Sequence, residues 1–271
     1  MIEKKYDNIQ WVVQRNLTSK RDFERLKASC SVIGVDFVEI DIIPFTKDLP
    51  EFDRSRSSII YGATTFNKLV LEDANLRKGV FFDEKNFSIE NYIEKWGRHM
   101  LNYDASVKTF ENLIEDTKFS DDKLLFIRPN DDSKSFAGEV KRFDEIKDWY
   151  IKLKAVANTN LSPKSKIIVS EPYNIHYEWR LWIINKKVIA SSKYREYFKL
   201  KKEEGSPPEV IAFGEERCRE YVPHDIFVMD ICLCGQEYYV VECGCMNAAG
   251  FYEANIEKIV RGVTDYFVST I

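Results

Sequence analysis

Apolar and polar positions divide the chain into three stretches with different rhythms. In the first, Trp11-Val12-Val13 is a short apolar run, and residues 20–30 carry Phe23, Leu26 and Cys30 at helical spacing. Residues 35–43 then alternate as a strand does, and Ile59-Ile60-Tyr61 is a buried run that stops at Gly62. Strand–helix–strand order with short connections predicts a small α/β domain over residues 1–75. The middle stretch, 76–165, predicts helices over 91–101 and 106–114, the second with Val107, Phe110, Leu113 and Ile114 on one face. A strand over 124–127 ends at Arg128-Pro129, and a polar loop runs from Asn130 to Gly138. A helix with apolar Ile146, Trp149, Tyr150 and Leu153 follows. The last stretch, 166–271, is the richest in strands. Residues 167–169 form one, and 179–184 with 188–191 form a hairpin turning at Asn185-Lys186-Lys187. Residues 226–232 and 238–243 form a second hairpin, turning at Gly235-Gln236. A final helix places Ile256, Ile259, Val260, Val263 and Phe267 on one face. The whole reads as α+β, with mainly antiparallel sheet towards the carboxyl end.

Composition narrows the class. The 271 residues are 44% hydrophobic and 14% aromatic, enough for a sizeable core and unlike a disordered, collagen-like or coiled-coil chain. A formal charge of −4 argues against a general nucleic-acid binder, which carries a basic excess. No apolar run approaches the roughly 18 residues of a membrane-spanning helix. The amino end, Met-Ile-Glu-Lys-Lys-Tyr-Asp, lacks an apolar signal core. The expectation is a cytoplasmic protein with neither nucleic acid nor membrane as partner. Six cysteines, at 30, 218, 232, 234, 243 and 245, then read as reduced, small buried hydrophobes.

Candidate chemistry concentrates in three places. In the second hairpin, an odd loop such as Gly235-Gln236-Glu237 sets Asp230 opposite Glu242, with Cβ atoms ~5 Å apart. Two carboxylates that close repel and want a shared cation; oxygen ligands of this kind suit Mg²⁺ held together with substrate phosphates. Asn247, just beyond, offers a neutral oxygen. The competing reading is an exposed strand face of solvated acids. In that register Cys232 and Cys234 face away from Cys243 and Cys245, so a four-thiolate zinc site needs a different one. The second place is Arg128 beside the Ser-Lys-Ser-Phe-Ala-Gly loop, whose cations and N–H groups suit phosphate oxygens; an ordinary polar loop is the alternative. The third is Ile167–Pro172 followed by Glu178-Trp179-Arg180. An apolar strand emptying into an irregular segment presents backbone groups to a planar base, Glu178 reaches ribose hydroxyls, and Arg180, Lys193 and Arg195 neutralise phosphate. Surface ion pairing is the alternative for each.

Taken in order, these segments resemble the ATP-grasp superfamily. The matching series is Leu125-Phe126-Ile127-Arg128-Pro129 with the Lys134–Gly138 loop, Val169-Ser170-Glu171-Pro172, Glu178-Trp179-Arg180-Leu181-Trp182, Val228-Met229-Asp230-Ile231 and Val240-Val241-Glu242. The tail Asn247-Ala248-Ala249-Gly250-Phe251-Tyr252 and the early Val12-Val13-Gln14 are similar to a compact clade common in bacteriophage and bacterial genomes and related to the ribosomal-protein glutamate ligases. The resemblance implies two α+β subdomains, 76–165 and 166–271, grasping ATP behind a small α/β domain. It implies that Arg128, Lys134 and Ser135 meet the phosphates, that Ser170, Glu171 and Tyr173 line the adenine hinge, and that Glu178 meets the ribose. Arg180 would face the transferred phosphate, with Lys193 and Arg195 holding the acceptor carboxylate. Asp230, Glu242 and Asn247 would hold Mg²⁺. One departure stands out: the family's Glu-x-Asn metal pair reads Glu242-Cys243-Gly244, so Asn247 is the replacement expected from the following loop.

The activity so implied is an ATP-dependent carboxylate–amine ligase, ADP-forming, working through an acyl phosphate. Its partners are ATP, a carboxylate-bearing small molecule or peptide, and an amine. A phage-encoded origin, with action in the host cytoplasm, is part of the same resemblance. Gln14 and Thr64-Thr65 are candidates for the acceptor pocket. A small-molecule kinase and a degenerate nucleotide-binding protein are the alternatives; Gly244 favours the second.

Overall fold

The computed structural model describes residues 5–43, 46, 48–132, 135–156 and 161–271. Strands β1 (Ile9–Gln14), β2 (Asp36–Ile40) and β3 (Ser57–Tyr61) form a parallel sheet in the order β2-β1-β3. Helix α1 (Lys20–Ile33) crosses between the first two; Ser19 caps its start by accepting from the Asp22 amide, and Gly34 ends it in the left-handed conformation at φ 77°. Helix α2 (Thr64–Leu71) covers the other face of this sheet, packing Phe66 and Val70 on Val12 and Ile60. Helix α3 (Ile89–Trp96) follows, capped by Ser88, and a 3-10 turn occupies Gly97–His99 where a continuous helix to 101 was expected.

Residues 106–114 correct a second helical expectation. Ser106–Thr109 is strand β4, paired antiparallel with β7 (Lys166–Ser170), and only Phe110–Ile114 is helical (α4), starting where the Thr109 hydroxyl accepts from the Asn112 amide. With β5 (Leu124–Pro129) and β6 (Glu139–Arg142) these strands make a four-stranded sheet ordered β4-β7-β5-β6. Helix α5 (Phe143–Ala155) packs on it around Leu125, Ile127, Ile146 and Ile167.

The third sheet is antiparallel throughout: β10 (Lys199–Glu204), β9 (Lys187–Glu196), β8 (Ile175–Ile184), β11 (Ile226–Cys234) and β12 (Glu237–Gly244), in that order. Helix α6 (Pro208–Glu220) lies on its back face with α3, burying Trp179, Leu181, Phe227, Met229, Ile231 and Val240. At one end of its front face, Trp182, Ile184, Ile226 and Val228 pack against helix α7 (Ile256–Thr270) and the amino-terminal sheet in one shared core. At the other end the same face turns polar, and that is where the cleft lies. The segment 76–105, the first part of the stretch 76–165, packs on the amino-terminal core through Leu76 and Val80 and on the five-stranded sheet through Phe87, Ile89, Tyr92, Trp96 and Met100. All six cysteines are free thiols, and burial pushes Cys30 and Cys218 up to about 12. Among the described residues no helix is long and apolar enough to cross a membrane.

Candidate functional site

Two β-bulges decide which side chains share the cleft. In the β11–β12 hairpin the turn is the two-residue Gly235-Gln236, because Glu237 already pairs with Cys234. A regular ladder from an even turn would set Val241 opposite Asp230. A bulge at Val241 absorbs one residue, so Asp230 faces Glu242 while Ile231 faces Val240. The predicted carboxylate pair is present, reached by a bulge rather than by an odd loop. The bulge also turns the Val241 carbonyl towards β5, where Arg128 Nη1 donates to it at 3.1 Å. Arg128 Nη2 forms an ion pair with Glu242, so this arginine joins the four-stranded sheet to the five-stranded one.

A second bulge, at Tyr194, breaks the alternation of β9. Glu178 pairs with Arg195, but the next residue of β8, Trp179, pairs with Lys193. Arg195 and Lys193, two apart in sequence and expected on one face, therefore lie on opposite faces. Arg195 donates to Glu178 (3.0 Å). Lys193 is a correction: it points to the back of the sheet, bonded to Glu196 (3.1 Å) and Glu203 (2.9 Å), beside a cavity of about 500 Å³ lined by Tyr177, Trp179, Leu233 and Tyr238. It does not join the carboxylate cleft.

Around Asp230 the front face forms a closed polar cluster. Arg180 Nε and Nη2 both donate to the Asp230 carboxylate at 2.8 Å, the bidentate geometry that fixes a carboxylate's plane. Burial opposes the Arg180 charge, but the Asp230 carboxylate more than offsets this and raises its affinity for the proton. Tyr194, which sequence reasoning passed over, donates to Glu178 at 2.7 Å and lies 3.4 Å from Asp230. Burial raises Glu178 above the ordinary carboxylate value, and its bonds to Tyr194 and Arg195 only partly offset that.

The segment expected to line the base, Ser170–Tyr173, is held from the side. Asn102 Nδ2 donates to Ser170 Oγ (2.9 Å), which donates in turn to the Glu171 carbonyl (3.1 Å). Tyr173 donates to Asp104 (2.7 Å), and burial followed by that bond raises its hydroxyl. Glu171 is exposed and paired with Lys123 (2.8 Å). In the loop expected to meet the phosphates, Lys134 lies outside the described residues. Ser135 precedes Phe136, whose ring packs on Phe110 (5.9 Å) and Trp149 (5.0 Å). Gly138 passes so close over β5 that a Cβ there would sit 2.9 Å from Phe126 Cζ and 3.4 Å from Arg128 Cβ.

Asn247 has a different task from the one expected. It is fully buried: Oδ1 accepts from the Phe81 amide (2.7 Å), and Nδ2 donates to the carbonyls of Ile60 (2.5 Å) and Gly79 (2.8 Å). Its own carbonyl accepts from Gly62 (2.8 Å). It fastens the end of β12 to the amino-terminal domain. What stands over Gly244 is Asp132: a Cβ at 244 would lie 3.8 and 3.9 Å from its carboxylate oxygens, and the Cys245 amide donates to it (3.1 Å). The sequence marked Asp132 only as part of a polar loop. Gln14, at the carboxyl end of β1, accepts from the Ala63 amide (2.9 Å) and so orders the turn before Thr64 and Thr65.

Among the described residues no three His, Cys, Asp or Glu side chains converge into a ready ligand set. Two opposed carboxylates fit Mg²⁺ in kind only if phosphate oxygens complete the shell. A family model described as an ATP-grasp domain, the third family of one clade of that superfamily, matches residues 60–263. The chain belongs to the ATP-grasp superfamily. Solved ATP-grasp structures share the fold across nearly the whole length. A RiPP-associated ATP-grasp ligase from Chryseobacterium gregarium, in complex with ADP and a leader and core peptide, is 10% identical with a TM-score of 0.58, covering 97% of each chain. The D-alanine–D-alanine ligase of Bacillus anthracis complexed with ATP is 15% identical at 0.56, covering 96% of this chain and 97% of that one. A RimK domain ATP-grasp protein from Sphaerobacter thermophilus is 10% identical at 0.55, covering 96% and 99%. No curated protein matches the sequence.

Proposed function

We propose that this ATP-grasp protein is an ATP-dependent carboxylate–amine ligase. The observation that carries the reading is the cleft itself, where Arg128 from one sheet meets Glu242 and the Val241 carbonyl of the other, beside the buried Arg180–Asp230 pair. A cleft with guanidinium groups on both walls and two opposed carboxylates suits a triphosphate with its metal, and the similar structures named above include complexes with ATP and ADP.

In this reading the base lies along Ser170–Tyr173, the ribose hydroxyls meet Glu178, and Arg128 exchanges Glu242 for a phosphate oxygen. Lys134 and Ser135 would meet the phosphates. Asp230 and Glu242 would hold Mg²⁺, which when bound neutralises phosphate charge and orients the γ-phosphoryl group. A substrate carboxylate oxygen takes the γ-phosphoryl group from ATP, releasing ADP and leaving an acyl phosphate. The amine then attacks the acyl carbon, the C–O bond to phosphate breaks, the amine proton passes to the departing phosphate, and an amide and inorganic phosphate leave. The chain's own contribution is positioning and charge neutralisation by Arg128 and Arg195, with Arg180 holding Asp230. Lys193 and Asn247 have no part. The carboxylate is carried by a small molecule or a peptide, and the protein acts in the cytoplasm, phage-encoded in a bacterial host.

Calorimetry of ATP with and without Mg²⁺, on the wild type and Glu242→Gln, tests the reading. Metal-enhanced binding that the variant loses supports it, and amide product with ADP and phosphate in a substrate screen separates ligase from kinase. No ATP binding under any condition would sink it. Gly244 favours a second reading, a protein that holds the nucleotide without turnover; for that reading Asp230→Asn leaves every cellular effect of the protein intact.

A further inference from the structure

Tyr252 carries backbone strain that the fold imposes. Its φ of 50° lies in the left-handed region, which a residue with a bulky side chain occupies only when its surroundings compel it. Those surroundings are explicit. Arg25 of α1 donates to the Tyr252 carbonyl and to the Ala254 carbonyl, both at 2.8 Å. Arg21 forms an ion pair with Glu253, and Asp22 accepts from the Phe251 amide at 3.4 Å. Phe251 is wholly buried and stacks on Tyr61 (centroids 5.1 Å apart), while the Glu253 amide donates to Ser192 Oγ of β9 (3.2 Å). One helix of the amino-terminal domain therefore shapes the loop 250–254 on both sides of the strained residue.

The strain places one ring. Tyr252 stacks flat on Tyr194, with centroids 4.8 Å apart and planes at 11°, and the Arg180 guanidinium carbon lies 5.0 Å from the Tyr252 centroid and 5.9 Å from that of Tyr194. The guanidinium has two neighbours of consequence: the carboxylate it grips in its plane and the rings that flank it. A carboxylate offers about four acceptor positions; Arg180 takes two of those of Asp230 and the Tyr194 hydroxyl approaches a third at 3.4 Å, which leaves one for a cation. We infer that Tyr252 is a positioning residue: held by α1, its ring fixes the Arg180 guanidinium and so sets the orientation in which Asp230 presents its remaining oxygen lone pair to Mg²⁺. This rests on the reading of Asp230 as a metal-holding carboxylate. It makes the amino-terminal domain a determinant of metal affinity in a cleft where it places none of the carboxylates.

Glycine supplies the discriminating test, because it adopts φ 50° without strain. Tyr252→Gly, Tyr252→Phe and the wild type are compared by thermal unfolding and by calorimetry of ATP with and without Mg²⁺. The phenylalanine variant keeps the ring and is expected to keep the wild-type gain in ATP affinity on adding Mg²⁺. The glycine variant is expected to lose about tenfold of that gain, the scale of a buried cation–π contact, with metal-free ATP affinity unchanged and a thermal midpoint no lower than wild type. Arg25→Gln should lose part of the same gain. A glycine variant with the full wild-type gain overturns the inference, as does a loss that appears equally without metal. A wild type that binds ATP without any gain from Mg²⁺ overturns the metal role of Asp230 itself, and this inference with it.

Discussion

At the scale of single residues, function and support are exchanged between positions that look interchangeable in the sequence. Asn247 carries an oxygen suited to a metal, but its amide joins three backbone groups in a fully buried place. Asn247→Ala should leave those groups unpartnered and lower the free energy of unfolding by about 3 kcal/mol in a urea titration, chiefly through the uncompensated burial. Lys193 and Arg195 look like a pair of equivalent cations. Since Lys193 lies behind the sheet, Lys193→Met should leave the affinity for Mg-ATP within about twofold of wild type by calorimetry, below the tenfold that 1.4 kcal/mol represents. A large loss in that variant would bring Lys193 back into the site. Glu178 gives a pH signature. Its folded value is raised, so its ionisation costs stability as pH rises from the ordinary 4.5 through the folded value. Glu178→Gln should therefore raise the thermal midpoint at neutral pH, the difference fading as the pH falls towards about 4.5.

At the scale of elements, the two bulges matter most. Each inserts one residue, and each sends a polar group into the cleft: the Val241 carbonyl in one case, the Tyr194 hydroxyl in the other. Period-2 reasoning finds strands but not bulges, because a bulge leaves no mark in the alternation of apolar residues. This is why the side on which Lys193 falls was not legible, and why Asp230 opposite Glu242 was reached from an odd loop that the hairpin does not have. Strand β10 was missed for another reason: an exposed edge reading Lys-Leu-Lys-Lys-Glu-Glu has no apolar face to report it. Strand β4 was hidden by helical spacing of Val107 with Phe110, although the Thr109 cap divides the segment into strand and helix. The loop over Arg128 gives a prediction at this scale. Gly138→Ala would press its Cβ to 2.9 Å from the Phe126 ring, and it should weaken ATP binding several-fold by calorimetry with little change in the thermal midpoint.

At the scale of the molecule, the carboxylate-bearing sheet and the amino-terminal domain share one core, with α7 and Trp182 packed against Trp11, Phe23 and Leu26. The four-stranded sheet keeps a core of its own around Phe110, Ile127 and Phe143. The surface carries many acids whose partners hold them below their ordinary values. Lysine and arginine side chains lower Asp41 and Asp116, backbone amides lower Asp73, and Arg21 lowers Glu253. Each contributes stability above its ordinary value of 3.8 or 4.5 and loses it as the pH falls through the lower folded value. Thermal unfolding between about pH 5 and about pH 3 should therefore show a falling midpoint, the exposed pairs contributing little each and less in high salt.

The sequence by itself determined the class of fold, the order of the ATP-grasp segments and the identity of most of the charged residues that meet in the cleft. The class of fold follows from local pattern, apolar periodicity and turn residues, while the order of the segments and the charged residues assigned to the cleft follow from the resemblance to the ATP-grasp superfamily. Only the tertiary structure decided which of those charges share a face, that Asn247 is a fastening rather than a ligand, and that Arg180 spends both its arms on Asp230 under the ring of Tyr252. These depend on bulges and on contacts across more than 200 positions of chain, as between Arg25 and Tyr252. A bulge changes the face of a side chain without changing its neighbours in sequence. A long-range contact is fixed by how cores pack, and that information is spread over the whole chain rather than held in any one segment.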